Sequence, residues 1–216
     1  MTGAARVRSS ASATANYPAP TLTINRPSGT AAGDVLLATI GHQGDSLRTL
    51  NAPSGWTAVP NADASDGTNL RMRAWYKVAA ALEPASYTFT LTGGSGMALA
   101  GGMMSVTGAD VTRPINVAAT QAISRKTATI AAPPVTTTVA RALLVYAGGV
   151  NIPLTFTPPP GASEQWDVTT AGSYNVATEA ATAGFVGPGN TGPIAATATR
   201  PARGAALLIA IAPPAT

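Results

Sequence analysis

The 216-residue chain has no cysteine and a single histidine, His42. The first absence excludes thiol catalysis, iron–sulfur clusters, cysteine-based zinc sites and a disulfide framework. The second leaves nothing from which to assemble an H-E-x-x-H helix or a multi-histidine metal centre. Charge is also scarce: Asp, Glu, Lys and Arg make up 10% of the residues, against about 25% in ordinary soluble domains. No apolar run approaches the 18 or so residues of a membrane span; the longest, AALLIAIA (205–212), has the length of a buried strand. No stretch combines a helical period with helix caps. The first residues, MTGAARVRSS, carry two arginines but no apolar segment behind them, so no secretory signal is read there.

What fills the chain instead is alanine and threonine, with 22 glycines and 18 prolines as punctuation. Two readings of the sparse charge compete: a biased coding sequence, consistent with arginine far outnumbering lysine, and a surface covered by other subunits, since interface cores are depleted in charge. The net charge of +4 is small and its arginines are scattered, so nucleic-acid binding is not expected. Residues 1–20, small, polar and proline-terminated, read as a flexible N-terminal arm carrying Arg6 and Arg8.

From Thr21 onward, short β-type runs alternate with Gly, Pro, Asn and Asp clusters. VLLATIG (35–41) is continuous and apolar. LRMRAWYKVA (70–79) splits into Leu70, Met72, Ala74 and Tyr76 on one face and Arg71, Arg73, Trp75 and Lys77 on the other. YTFTLTG (87–93) alternates apolar with threonine. The second half repeats this grammar: VTTTVARALLVYAGG (135–149), PPPGASEQWDV (158–168), SYNVATEAATAG (173–184), PIAATAT (193–199) and ARGAALLIAIAP (202–213) follow the same order. The expectation is an all-β, antiparallel, two-sheet jelly-roll-like sandwich of about eight to ten strands. It forms one domain over 21–216 with a pseudo-repeat of about 21–115 and 130–213, because neither half is expected to own a second sheet, with two domains joined through 109–134 as the lesser alternative.

GDVLLATI (33–40), PSGW (53–56), AWYKVAAALEPASYTFTLTG (74–93) and MMSVTGADVTRPI (103–115), with the matching words of the second half, resemble a β-sandwich module of actinobacterial phage and prophage virion proteins. The resemblance spans about residues 21–213. It implies a jelly-roll-like sandwich and a non-enzymatic structural role, as a minor tail protein or a capsid decoration or fibre component. It also implies partners among other tail or capsid subunits, a homo-oligomer, and assembly into virions in the host bacterial cytoplasm. It brings no catalytic residue and no cofactor.

His42 with Asp45 and Ser46 is local crowding without a nucleophile elbow. NADASDGTN (61–69) offers Asp63, Asp66 and Asn69 to calcium but lacks the spacing of a calcium loop. Trp56 and Trp166 read as matched core plugs of the two halves. Trp75, read as outward-facing between Arg73 and Lys77, is the expected interface anchor. The expected interface residues are therefore Arg6, Arg8, Arg73, Trp75 and Lys77, with no metal site, no cofactor and no membrane contact. The alternative function is a carbohydrate-binding module that recognises the host envelope through Trp75.

Overall fold

The computed structural model describes residues 3–44, 47–67 and 69–215. All regular structure in them is β. The first half supplies β1 (Arg6–Ala19), β2 (Thr21–Asn25), β3 (Val35–Gln43), β4 (Thr49–Asn51), β5 (Thr57–Ser65), β6 (Leu70–Val78), β7 (Ser86–Thr92) and β8 (Met97–Thr107). These make a five-stranded sheet in the order β1-β8-β3-β6-β5 and a three-stranded sheet in the order β2-β7-β4, antiparallel throughout. First, eighth, third and sixth strands in one sheet, with second, seventh and fourth in the other, is jelly-roll connectivity.

The second half supplies β9 (Ile115–Ala132), β10 (Thr136–Thr137), β11 (Ala142–Val150), β12 (Phe156–Thr157), β13 (Ser163–Thr169), β14 (Ala177–Phe185), β15 (Gly189–Asn190) and β16 (Ile194–Ile211). It repeats the same path with two mergers. β9 and β16 are long strands that run through both layers: Ile115–Ile123 pairs with Gly204–Ile211, and Thr129–Ala132 pairs with Ile194–Thr197 after a break in register. The inner sheet is therefore β9-β16-β11-β14-β13, and the outer one is the far ends of β9 and β16 with β12 beside them. β10 and β15 form a separate two-stranded ribbon. The order of segments along the two halves that the sequence words suggested is the order the strands take.

Each half owns a second sheet, contrary to the expectation that the halves had only each other. Side chains on one face of β3, β6 and β8 (Leu36, Ala38, Ile40, Trp75, Leu99, Met103) pack on Leu22, Ile24, Leu50, Tyr87 and Phe89 of the three-stranded sheet. The other face (Leu37, Met72, Ala74, Ala100, Met104) packs on Val145, Ala147, Trp166, Ala180, Leu207 and Ile209 of the second half. A third cluster, around Tyr146, Leu144, Leu208, Ile130 and Phe156, closes the second half's own sandwich. The result is four layers, and it explains why β3, β8 and β11 are buried on both faces. An antiparallel strand would otherwise alternate.

The inner sheets meet about a pseudo-two-fold axis. Met72, paired across the ladder with Gly41, sits where a Cβ on Gly149 would lie 2.6 Å from its sulfur; Thr178, paired with Gly149, sits where a Cβ on Gly41 would lie 3.0 Å from its methyl. Each glycine makes room for the other half's side chain. Trp166 breaks the symmetry. It follows a bulge in β13 and covers Gly102 of β8, where a Cβ would come within 2.5 Å of the indole. Trp56 instead packs inside the first sandwich against Tyr87 and Phe89, so the two tryptophans are not matched plugs.

The strand count, sixteen rather than eight to ten, reflects strands too short or too uniform to announce themselves. β10, β12 and β15 have two residues each. The flexible-arm expectation is corrected as well. Arg6–Ala19 is the edge strand β1, in register with β8 from Arg6↔Thr107 to Ala15↔Leu99 across one bulge. Alternating alanines make this possible, since Ala11, Ala13 and Ala15 turn inward onto the first sandwich's core.

Candidate functional surfaces

Four of the five expected interface residues are tied up within the chain. Arg8 donates to both carboxylate oxygens of Asp34, at 2.7 and 3.1 Å. Asp34 also accepts from the Ser105 hydroxyl at 2.8 Å and the Ala31 N–H at 3.0 Å. Burial opposes the charge on Asp34, but Arg8, Ala31 and Ser105 together hold its carboxyl below the usual range. This pins β1 to β8 and to the turn before β3.

Arg73 bridges layers. Its Nε lies 3.1 Å from Asp63 and its Nη1 donates to the Leu50 carbonyl at 2.9 Å, with the guanidinium 5.3 Å from the Trp75 ring centre. Trp75 is only 4% exposed, which overturns its reading as an outward anchor: the three-stranded sheet covers that face of β6, and Phe89 lies against the indole. Lys77 pairs with Glu83 at 2.9 Å, and Glu83 also accepts from the Tyr87 hydroxyl. Burial opposes ionisation of Glu83, but Tyr87, the Ala80 N–H and Lys77 lower its pKa. Arg6 is exposed at the start of β1.

The other candidates are equally committed. Asp63 is chelated by Arg71, at 2.6 and 2.7 Å, as well as by Arg73. Asp66 accepts from the backbone N–H groups of Asn69 and Leu70 as a turn brace. Among the described residues no three His, Asp or Glu side chains converge to hold a metal ion. His42 is fully buried on β3, its Nδ1 near the Gln43 carbonyl, and burial pushes its pKa down. Asp45 and Ser46 lie outside the described residues.

The sequence reading missed a buried pair of acids. Asp167 on β13 stands opposite Glu179 on β14, as Asp63 on β5 stands opposite Arg73 on β6. The two pairs are equivalent under the pseudo-two-fold, since Glu179 follows Thr178 as Arg73 follows Met72. Glu179 is 0% exposed and neither of its oxygens has a hydrogen-bond partner; Asp167 accepts from the Phe156 N–H at 2.8 Å through one oxygen only. Burial, then Asp167 and Glu164, push Glu179 up to about 8. Burial raises Asp167 too. Only the strand register shows that Glu179 takes the place Arg73 has in the first half.

On the outside, Tyr17 and Tyr174 remain 42% and 43% exposed, with ring centres 4.5 Å apart. They clasp β1 to the loop before β14, beside a hydrogen bond from the Ala171 N–H to Asn16 Oδ1 at 2.9 Å. Neither a protein-family model, nor a curated protein, nor a solved structure matches the chain.

Proposed function

We propose that the chain is a non-enzymatic structural protein of a phage particle, a minor tail or capsid decoration component that acts by packing against neighbouring subunits. The observation that carries this is the four-layer block itself. Two jelly rolls are locked face to face, and the charged groups near the expected interface are engaged in ion pairs and turn braces (Arg8–Asp34, Arg73–Asp63, Lys77–Glu83, Asp66), while the unpaired acids Asp167 and Glu179 are enclosed between strands. The sequence resemblance to virion sandwich modules points the same way. Mass spectrometry of purified particles tests it: the chain should be present at a fixed stoichiometry, and its absence from particles made by cells that express it would reject the proposal.

A second reading, glycan recognition, no longer has Trp75 to rest on. The exposed Tyr17–Tyr174 pair is the observation that keeps it, because aromatic rings with a polar rim present an apolar body beside hydrogen-bonding groups. A glycan array probed with the wild-type chain and with Tyr174→Ala decides this reading: a signal lost in the variant supports it, and no wild-type signal ends it.

A further inference from the structure

Four strands form the lateral edges of the two inner sheets, and they are not alike. β5 and β13 are protected in the way natural sheet edges usually are. β5 carries Pro60 and Asp63 and breaks register between Ala58 and Asp63; β13 carries Glu164 and Asp167 and breaks register between Glu164 and Trp166. β1 and β9 each leave one long stretch without such protection. From Ser10 to Tyr17 (SASATANY) and from Val117 to Ser124 (VAATQAIS) there is no charge and no proline. Ser10–Ala15 stays in unbroken register with β8, and Val117–Ile123 does so with β16, so both segments are straight enough to template another strand. Among the described strands, β1 is laddered only to β8 and this part of β9 only to β16. Covering contacts lie near the ends: on β1 the Ser28 and Gln165 carbonyls accept from the Ser9 and Ser10 hydroxyls and Asn16 accepts from the Ala171 N–H beside the Tyr17–Tyr174 pair, and on β9 Asn116 exchanges two hydrogen bonds with Thr138.

We infer that these two open edges are assembly edges, and that the strand which adds to them is contributed by a second copy of this chain, β1 of one copy pairing with β9 of the next. The inference rests on the structural role proposed above and names its partner. Three observations favour a second copy. The two open stretches match in length and are both neutral and rich in Ala, Ser and Thr, so pairing them opposes no like charges. They lie on opposite sides of the block, because β1 packs over β13 and β5 packs over β9. Each side thus offers one open and one guarded edge, and a head-to-tail contact between unlike edges repeats into a ring or filament.

Lysines on the exposed positions of each edge supply the test. In sedimentation velocity, the wild-type chain should form a concentration-dependent series of oligomers. Ser12→Lys with Thr14→Lys on β1, and Gln121→Lys with Ala122→Lys on β9, should each be monomeric alone, with wild-type melting temperatures. An equimolar mixture of the two variants should give a 1:1 dimer and nothing larger, because one open edge of each kind remains. A wild-type chain that stays monomeric at every concentration overturns the inference. So does a β9 variant that still dimerises by itself, which would mean β1 pairs with β1. A chain that is present in particles but monomeric in solution rejects only these assembly edges. Oligomers without particle incorporation reject only the structural role.

Discussion

The two jelly rolls share a strand path but hold their buried acids in opposite ways. In the first, Asp34 and Glu83 are held ionised against the cost of burial by Arg8, Lys77 and neighbouring N–H and O–H donors. A carboxylate with a lowered folded pKa contributes stability above its unfolded pKa, and that contribution disappears as pH falls through the folded value. In the second, Asp167 and Glu179 face each other without a cation and both titrate high. A carboxyl with a raised folded pKa costs stability once the unfolded chain ionises, and the cost grows until the folded group ionises as well. Acid therefore loosens the first half and base the second. At one equivalent position of the repeat the first half has Arg73 opposite Asp63 and the second has Glu179 opposite Asp167.

The largest test of the comparison concerns the point where the halves touch. Trp166 is the second half's contribution to the shared core, and the symmetric place in the first half is the bulged segment around Ala62. Trp166→Ala should lower stability by about 3–5 kcal/mol, the usual cost of emptying a buried tryptophan site, measured by urea denaturation. Its indole nitrogen has no hydrogen-bond partner, so Trp166→Phe should retain most of that stability. If Trp166→Ala unfolded as readily as Ala62→Gly, the asymmetric plug would be dispensable.

How far the sequence could show this architecture depends on whether a feature has local amplitude. The buried strands β3, β8, β11 and the second part of β16 were legible as apolar runs, and the repeat was legible because a buried run, a Pro-Gly loop ahead of a tryptophan, a threonine-rich run and a Gly-Ala-rich run recur in the same order. β1 was not: its alternation is Ala against Ser and Thr, a contrast too weak to distinguish a half-buried edge strand from a polar arm. Trp75 was placed correctly on the arginine face of β6 but incorrectly in solvent, because nothing in LRMRAWYKVA reveals that a three-stranded sheet covers that face. The acid pair was invisible for another reason. Asp167 and Glu179 are twelve positions apart, and only the β13–β14 register brings them opposite each other.

Glu179→Gln sharpens the alkaline side. Between the ordinary carboxyl value of 4.5 and the folded value of about 8, the folded chain binds a proton that the unfolded chain has lost, so wild-type stability should fall with pH by up to roughly 1.4 kcal/mol per unit. Glutamine cannot ionise. Near pH 4 the variant should match wild type, and by pH 9 it should be more stable by several kcal/mol, that slope summed over the interval between the two values. Thermal melts at both pH values read the crossover. A constant difference between the two proteins across the range would show that Glu179 never carries its proton in the folded state.

The smallest effect, Asp34→Asn, should run the other way and thereby test the comparison as a whole. The substitution removes the charge that Arg8 faces but keeps a side chain able to accept from Ser105 and the Ala31 N–H. Arg8 is itself about a third exposed, so solvent screening keeps the loss at neutral pH to about 1 kcal/mol. That loss should shrink as pH falls from 3.8, the ordinary carboxyl value, towards the lower folded value, because the unfolded chain then takes up a proton that folded Asp34 resists until it too protonates and forfeits the interaction. Hydrogen exchange adds the spatial readout: lowering pH should first deprotect β1 and the Ala31 turn, whereas raising it should first deprotect β13 and β14. Deprotection of the same strands at both extremes would mean that the four layers open as one unit, and that the opposite chemistry of the two acid sites has no local structural consequence.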